Sequence, residues 1–169
     1  METRTVDLNE TERATLTSLA RPNLVIRFVE GMLGASRKTF NDDLESGTAT
    51  EISGQIVSAL MFEENADEGP KLAVQLSESF SLFLFGVWLY DDYTTVGLDA
   101  FFESPGVGIP DMLTVRYAPR SKLVFQARFQ GSGRVPIKLE PGFRTSRGIG
   151  QIEELSMPVN AIARYYASE

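Results

Sequence analysis

The chain has 169 residues, with 16 lysines and arginines against 23 aspartates and glutamates, and a formal net charge of −7 at neutral pH. That length suits one domain burying roughly 70% of the surface its unfolded chain exposes, and 43% apolar with 23% charged residues is an ordinary globular balance. Cysteine and histidine are both absent, which excludes disulfides, thiolate nucleophiles, imidazole bases and Cys/His zinc sites.

An enzyme of this composition would rely on carboxylates, lysine, tyrosine or oxygen-ligated magnesium or calcium. No motif asks for a cofactor or a metal, and neither is expected. The opening METRTVDLNETERATL has no basic n-region followed by an apolar run, so no signal peptide is expected and the chain is placed in the cytoplasm or within an assembly.

In chain order, Asn9-Glu10-Thr11-Glu12 has the spacing of a capping box, and Leu16, Leu19 and Ala20 follow at helical intervals until Pro22. Residues 23 to 33 place Val25, Phe28, Val29 and Met32 on one helical face, with a strand as the alternative. The polar stretch ASRKTFNDDLESG, residues 35 to 47, reads as a loop. In TATEISGQIVSALMFEE, Thr48 and Glu51 again resemble a capping box, and Ile52, Ile56 and Leu60 fit both the helical period and period two. NADEGP then makes a turn.

From Leu72 the even positions are apolar almost without interruption to Tyr90, and the odd positions join them after Ser81. One face is buried throughout and the other becomes buried, as in a long bent strand, or two strands of the same phase joined at residues 77 to 79, entering the centre of a sheet. The apolar run of eleven residues from 80 to 90 falls short of the about 20 a membrane helix needs. It stops at Asp91 and Asp92. These adjacent carboxylates could hold magnesium or act as acid and base, but successive strand residues diverge to opposite faces, and a solvated hairpin loop is the simpler account. Residues 94 to 102 should return antiparallel, and SPGVGIPD should form a rigid loop.

Two alternating strands follow. Leu113, Val115 and Tyr117 line one face of the first, and Leu123, Phe125, Ala127 and Phe129 one face of the second. A five-residue APRSK loop keeps both sets on the same side, leaving Thr114, Arg116, Gln126 and Arg128 to solvent. After a GSGR turn, residues 135 to 139 carry Pro136 and belong at a sheet edge. PGFRTSRGIGQ reads as a loop, and MPVNAIARYYA as a last strand or short helix. GVGIP, GSG and RGIGQ match neither GxxxxGK[ST] nor GxGxxG and are read as turns.

The expected fold is α+β, one domain over residues 1–169 with a dominant antiparallel β-sheet. A mostly helical segment 8–65 precedes a β-rich segment 71–140 and a C-terminal segment 141–169. An all-β sandwich or jelly roll is the alternative.

Charge is unevenly spread. Residues 1 to 111 hold 7 basic and 19 acidic side chains, a net of −12, while residues 112 to 169 hold 9 basic and 4 acidic, a net of +5. Between positions 112 and 147, Arg116, Arg120, Lys122, Arg128, Arg134, Lys138, Arg144 and Arg147 face a single acid, Glu140. Such a block can pair with acidic residues of its own chain, dock a protein partner or a second copy, or contact RNA or single-stranded DNA. The expectation is a non-enzymatic structural or protein-protein interaction protein, self-associating through acidic and basic surfaces, with nucleic acid as the secondary partner and no membrane insertion. The remaining alternative is a carboxylate- or magnesium-dependent enzyme using Asp91 and Asp92.

Overall fold

The computed structural model describes residues 1–21, 35–62, 71–85, 108–142 and 152–167. The expectations for residues 23 to 33, 86 to 107 and 143 to 151, with Asp91, Asp92, Arg144 and Arg147, lie outside the described residues. The protein is α+β, and its strands form two mostly antiparallel sheets.

Strand β1 (Glu2–Asp7) leads into α1 (Glu10–Ala20), which begins with the expected capping box: the Glu12 amide donates to Asn9 Oδ1 at 2.9 Å and the Asn9 amide to Glu12 Oε2 at 2.8 Å. Arg21 is extended and ends the helix before Pro22. The segment read as a loop instead contains α2 (Arg37–Ser46). Ser36 and Thr39 cap its start, and Gly47 ends it in the left-handed conformation at φ +67°. Its apolar face is short, with Phe40 fully buried and Leu44 one turn on packed beside it. The helix therefore stands on caps and tertiary contacts more than on periodicity.

The next residues resolve as strands, β2 (Thr48–Gln55) and β3 (Ser58–Phe62), so the described residues of the segment expected to be mostly helical form two helices and two strands. Ile52, Ile56 and Leu60 do not share one face. The first two enter the core between the sheets and Leu60 turns to the opposite side, because the chain passes from one sheet to the other between β2 and β3. The long apolar run begins as a hairpin of β4 (Lys71–Ser77) and β5 (Phe80–Phe85), turning at Glu78 and Ser79. A bulge between Gln75 and Ser77 leaves Leu72 opposite Leu84 and Val74 opposite Leu82, so the even positions of both strands face the same core.

Strand β6 (Ile109–Tyr117) pairs with β7 (Val124–Val135), and β8 (Ile137–Glu140) leaves Pro136 for the edge of the other sheet, beside and parallel to β3. The expected GSGR turn lies inside β7. Gly131 and Gly133 form a bulge over Asp111, whose Oδ1 accepts the Gly133 amide at 3.1 Å and would lie 2.1 Å from a Cβ at position 131. Strand β9 (Ile152–Leu155), which the sequence did not suggest, and α3 (Val159–Ala167) complete the described chain.

The sheets run β1-β2-β6-β7 and β8-β3-β4-β5-β9. Ile52, Leu113, Val115, Tyr117, Ala127 and Phe129 of the first meet Met61, Leu72, Val74, Leu82 and Leu84 of the second in one cluster. On the outer side of the first sheet α1 and α2 bury Leu16, Phe40, Ala49 and Leu123; on that of the second, α3 buries Leu60, Phe62, Ala73 and Phe83. The sheets thus face each other as in the sandwich alternative, but helices cover their backs, which gives the α+β class.

One side chain ties the helical layer to the sheet below. Asp43, fully buried on α2, accepts the Arg120 amide at 3.0 Å and the Ser121 amide at 2.9 Å in the β6–β7 hairpin loop. Asp43, within the polar stretch read from sequence as a loop, is therefore a helix-to-loop anchor. Asp43→Ala would strand two amides, and urea unfolding should show a loss of about 2–4 kcal/mol. Ser121→Ala, which deletes a buried hydroxyl without a hydrogen-bond partner among the described residues, should leave stability unchanged or raise it. A loss under about 0.5 kcal/mol for Asp43→Ala would contradict the anchor.

Candidate interaction surface

The basic block divides by position. Arg116 lies on the outer face of the four-stranded sheet, where solvent was expected, but its side chain is only 18% exposed. Its Nη2 donates to Glu12 Oε2 at 2.8 Å and to the Asp7 carbonyl, and Nε donates to Glu12 Oε1 at 2.5 Å. Glu51 lies on its other side at 3.9 Å. The Glu12 side chain is 6% exposed, so each charge has lost most of its water and depends on the other for compensation. Glu12 therefore serves twice, closing the capping box of α1 and holding the helix to the sheet.

Arg120 and Lys122 sit on the β6–β7 hairpin loop. Arg120 pairs with Asp42 at 3.3 Å. Lys122 adopts φ +55°, a left-handed conformation that costs a non-glycine residue about 1 kcal/mol. Its Nζ lies 3.0 Å from Glu154 Oε1 and 5.0 Å from the centre of the Tyr117 ring. Tyr117 donates its hydroxyl to the same oxygen at 2.5 Å. Glu154 stands opposite Leu82 in β9, on the side of that strand facing the other sheet. Its side chain keeps 36% exposure at the rim, and Tyr117 and Lys122 meet its carboxylate across the gap. This clasp joins the two sheets at their rim.

The hairpin also departs from the expected register. Arg116 faces Gln126 but Tyr117 faces Val124, so Phe125 is an extra residue that reverses the alternation. Ala127 and Phe129 lie in the core between the sheets as expected, whereas Leu123 and Phe125 pack on the other side with α1 and α2. The described aromatic residues of the block therefore serve two cores.

Arg128, Arg134 and Lys138 differ from the first three. All are exposed, Arg128 and Arg134 on β7 and Lys138 on β8, and none makes an ion pair among the described residues. Arg128 meets the Gln126 side chain, whose oxygen, with the amide turned toward it, accepts at 2.9 and 3.1 Å. That contact orients the guanidinium and leaves its charge uncancelled. Among the described residues β7 and β1 are the edges of the four-stranded sheet, and β8 is one edge of the five-stranded sheet. The unpaired cations thus collect along sheet margins.

No group of three or more acidic side chains arranged for a metal ion is found among the described residues, and no helix there is long and apolar enough to cross a membrane. No family model, curated protein or solved structure matches the chain.

Burial pushes the Tyr117 phenol well above its ordinary range, reinforced by its hydrogen bond to Glu154 and by that carboxylate's charge. For Glu154, burial works against ionisation, but the hydrogen bonds from Tyr117 and Lys122 and the ammonium charge outweigh it and hold the carboxyl below its ordinary value. The raised phenol gives stability that is whole below about pH 10 and is lost as pH climbs from there toward the folded value. The lowered carboxyl gives stability that is whole above about pH 4.5 and is lost as pH falls through the folded value. In an ultraviolet titration of wild type against Tyr117→Phe, the missing tyrosine should ionise only with unfolding. A midpoint near 10 for that residue in the folded protein would contradict the clasp.

Proposed function

We propose that this chain is a non-enzymatic interaction protein that assembles with a protein partner, or with copies of itself, through charged sheet margins that no ion pair among the described residues neutralises. The observation that supports it most is the division of the basic block: Arg116, Arg120 and Lys122 are used in internal ion pairs, while Arg128, Arg134 and Lys138 stand exposed along β7 and β8. Acidic residues dominate the rest of the chain, so a second copy is itself a source of complementary charge. Exposed strands offer backbone groups for pairing, and charges beside them select the partner.

The described aromatic residues of the block favour a protein partner over single-stranded nucleic acid; Phe143, in the PGFRTSRGIGQ stretch, lies outside the described residues. Tyr117 and Phe129 are 1% and 2% exposed and Phe125 is packed beneath the helices, so these rings are unavailable for base stacking.

Light scattering over a concentration series should give a mass above that of the 18.7 kDa chain at low salt, falling toward it as salt screens the charged margins. A strict monomer under all conditions, together with salt-sensitive retention of single-stranded DNA, would overturn the proposal.

A further inference from the structure

Arg128, Arg134 and Lys138 do not share a face. Phe129 and Val135 of β7 pack into the core between the sheets, so their neighbours Arg128 and Arg134 both point to the outer side of the four-stranded sheet. Ile137 of β8 enters the same core, and Lys138 beside it therefore points to the outer side of the five-stranded sheet, as does its partner Leu60. The bulge in β7 does not disturb this. Residues 131 to 133 stand against Asp111 alone, and Arg134 lies opposite Pro110 as Arg128 lies opposite Thr114.

Both arginines are held in place. The Gln126 amide, turned toward Arg128, meets its guanidinium at 2.9 and 3.1 Å, and Asp111 fixes the bulge that precedes Arg134 by accepting the Gly133 amide at 3.1 Å. Neither arginine makes an ion pair with Asp111 or with any other described acid. The rung through Arg128 passes Thr114 and Ser53 before it reaches an acid, Glu2, in β1. Their partners in β6 are four residues apart, which separates the two strand positions by about 13 Å. Exposed Gln130 and Ser132, both neutral, lie between them along the strand.

This pattern asks for two anionic groups about 13 Å apart with hydrogen-bonding groups between them. An extended polypeptide advances about 3.4 Å per residue, so carboxylates four positions apart meet that spacing. Each guanidinium fork matches a carboxylate, and the Gln130 amide and Ser132 hydroxyl both donate and accept, as the backbone of such a segment requires. Single-stranded nucleic acid would bring a phosphate at every nucleotide against that neutral middle, and no described ring on β6 or β7 is exposed for its bases. We infer that the interaction proposed above is made on the outer face of β7, through Arg128 and Arg134, with an extended acidic polypeptide segment whose carboxylates are four residues apart. This step rests on that proposal and narrows it from three cations to two. The contact is made by side chains on the face of the sheet and takes no backbone hydrogen bond from its margin.

The test is fluorescence anisotropy at low salt with a labelled oligoglutamate long enough to span both arginines, with circular dichroism to confirm that each variant is folded. R128E and R134E should each weaken binding about fivefold or more, and the double variant should abolish it. K138E makes the same change in net charge on the opposite side of the molecule and should stay within about twofold of wild type. A loss for K138E equal to that for R128E, or indifference to R134E, would overturn the two-arginine face while leaving the broader proposal to its light-scattering test. An oligothymidylate of equal length that binds more tightly through the same arginines would overturn the polypeptide partner. A wild-type protein that does not bind oligoglutamate at all would overturn the inference.

Discussion

The arrangement turns on Arg116 and its contact with Glu12. This pair lies between α1 and the outer face of the four-stranded sheet, and it draws in the Asp7 carbonyl at the end of β1 and Glu51 in β2. One guanidinium therefore helps place a helix, an edge strand and a central strand. Its burial makes the geometry demanding, since either charge left alone in that environment would be costly. Once α1 is placed, α2 packs beside it, and Asp43 then meets the amides of the β6–β7 loop.

That constraint changes how the charge asymmetry is understood. A cluster of basic residues in sequence suggests a basic surface, but β6 and β7 distribute theirs across several environments. Arg116 is consumed beneath α1, Arg120 binds Asp42, and Lys122 helps close the clasp with Tyr117 and Glu154. The acids that bind them come from α1, α2 and β9, remote in sequence, so spacing along the chain could not reveal the pairing. Arg128, Arg134 and Lys138 remain outside these pairs because their strand positions are exposed and no acidic element among the described residues packs on them.

The fold was legible where one residue set an outcome locally. Asn9 and Glu12 marked the start of α1, Pro22 its end, and Pro136 an edge strand. The even-position pattern gave the shared face of β4 and β5 even though the chain turns between them. It was less legible where packing decided. The helix α2 carries little apolar periodicity and is held by Phe40, Leu44 and Asp43; Ser36 and Gly47 were its available signals. The extra residue Phe125 reversed the side of the sheet reached by Leu123, which loop length alone could not foretell. Of the candidate surface, the residue types were visible in advance. Which of them would be neutralised depended on contacts across the fold.

Arg116 is a structural cation and Arg128 an available one, and urea unfolding of Arg116→Ala beside Arg128→Ala tests that separation most directly. Arg116→Ala leaves Glu12 buried without its partner and should lose about 3 kcal/mol or more. Arg128→Ala removes an exposed charge held by a neutral amide and should stay within about 0.5 kcal/mol of wild type at a protein concentration low enough to keep the chain dissociated. Equal losses in the two variants would contradict the division of the basic block on which the functional proposal stands.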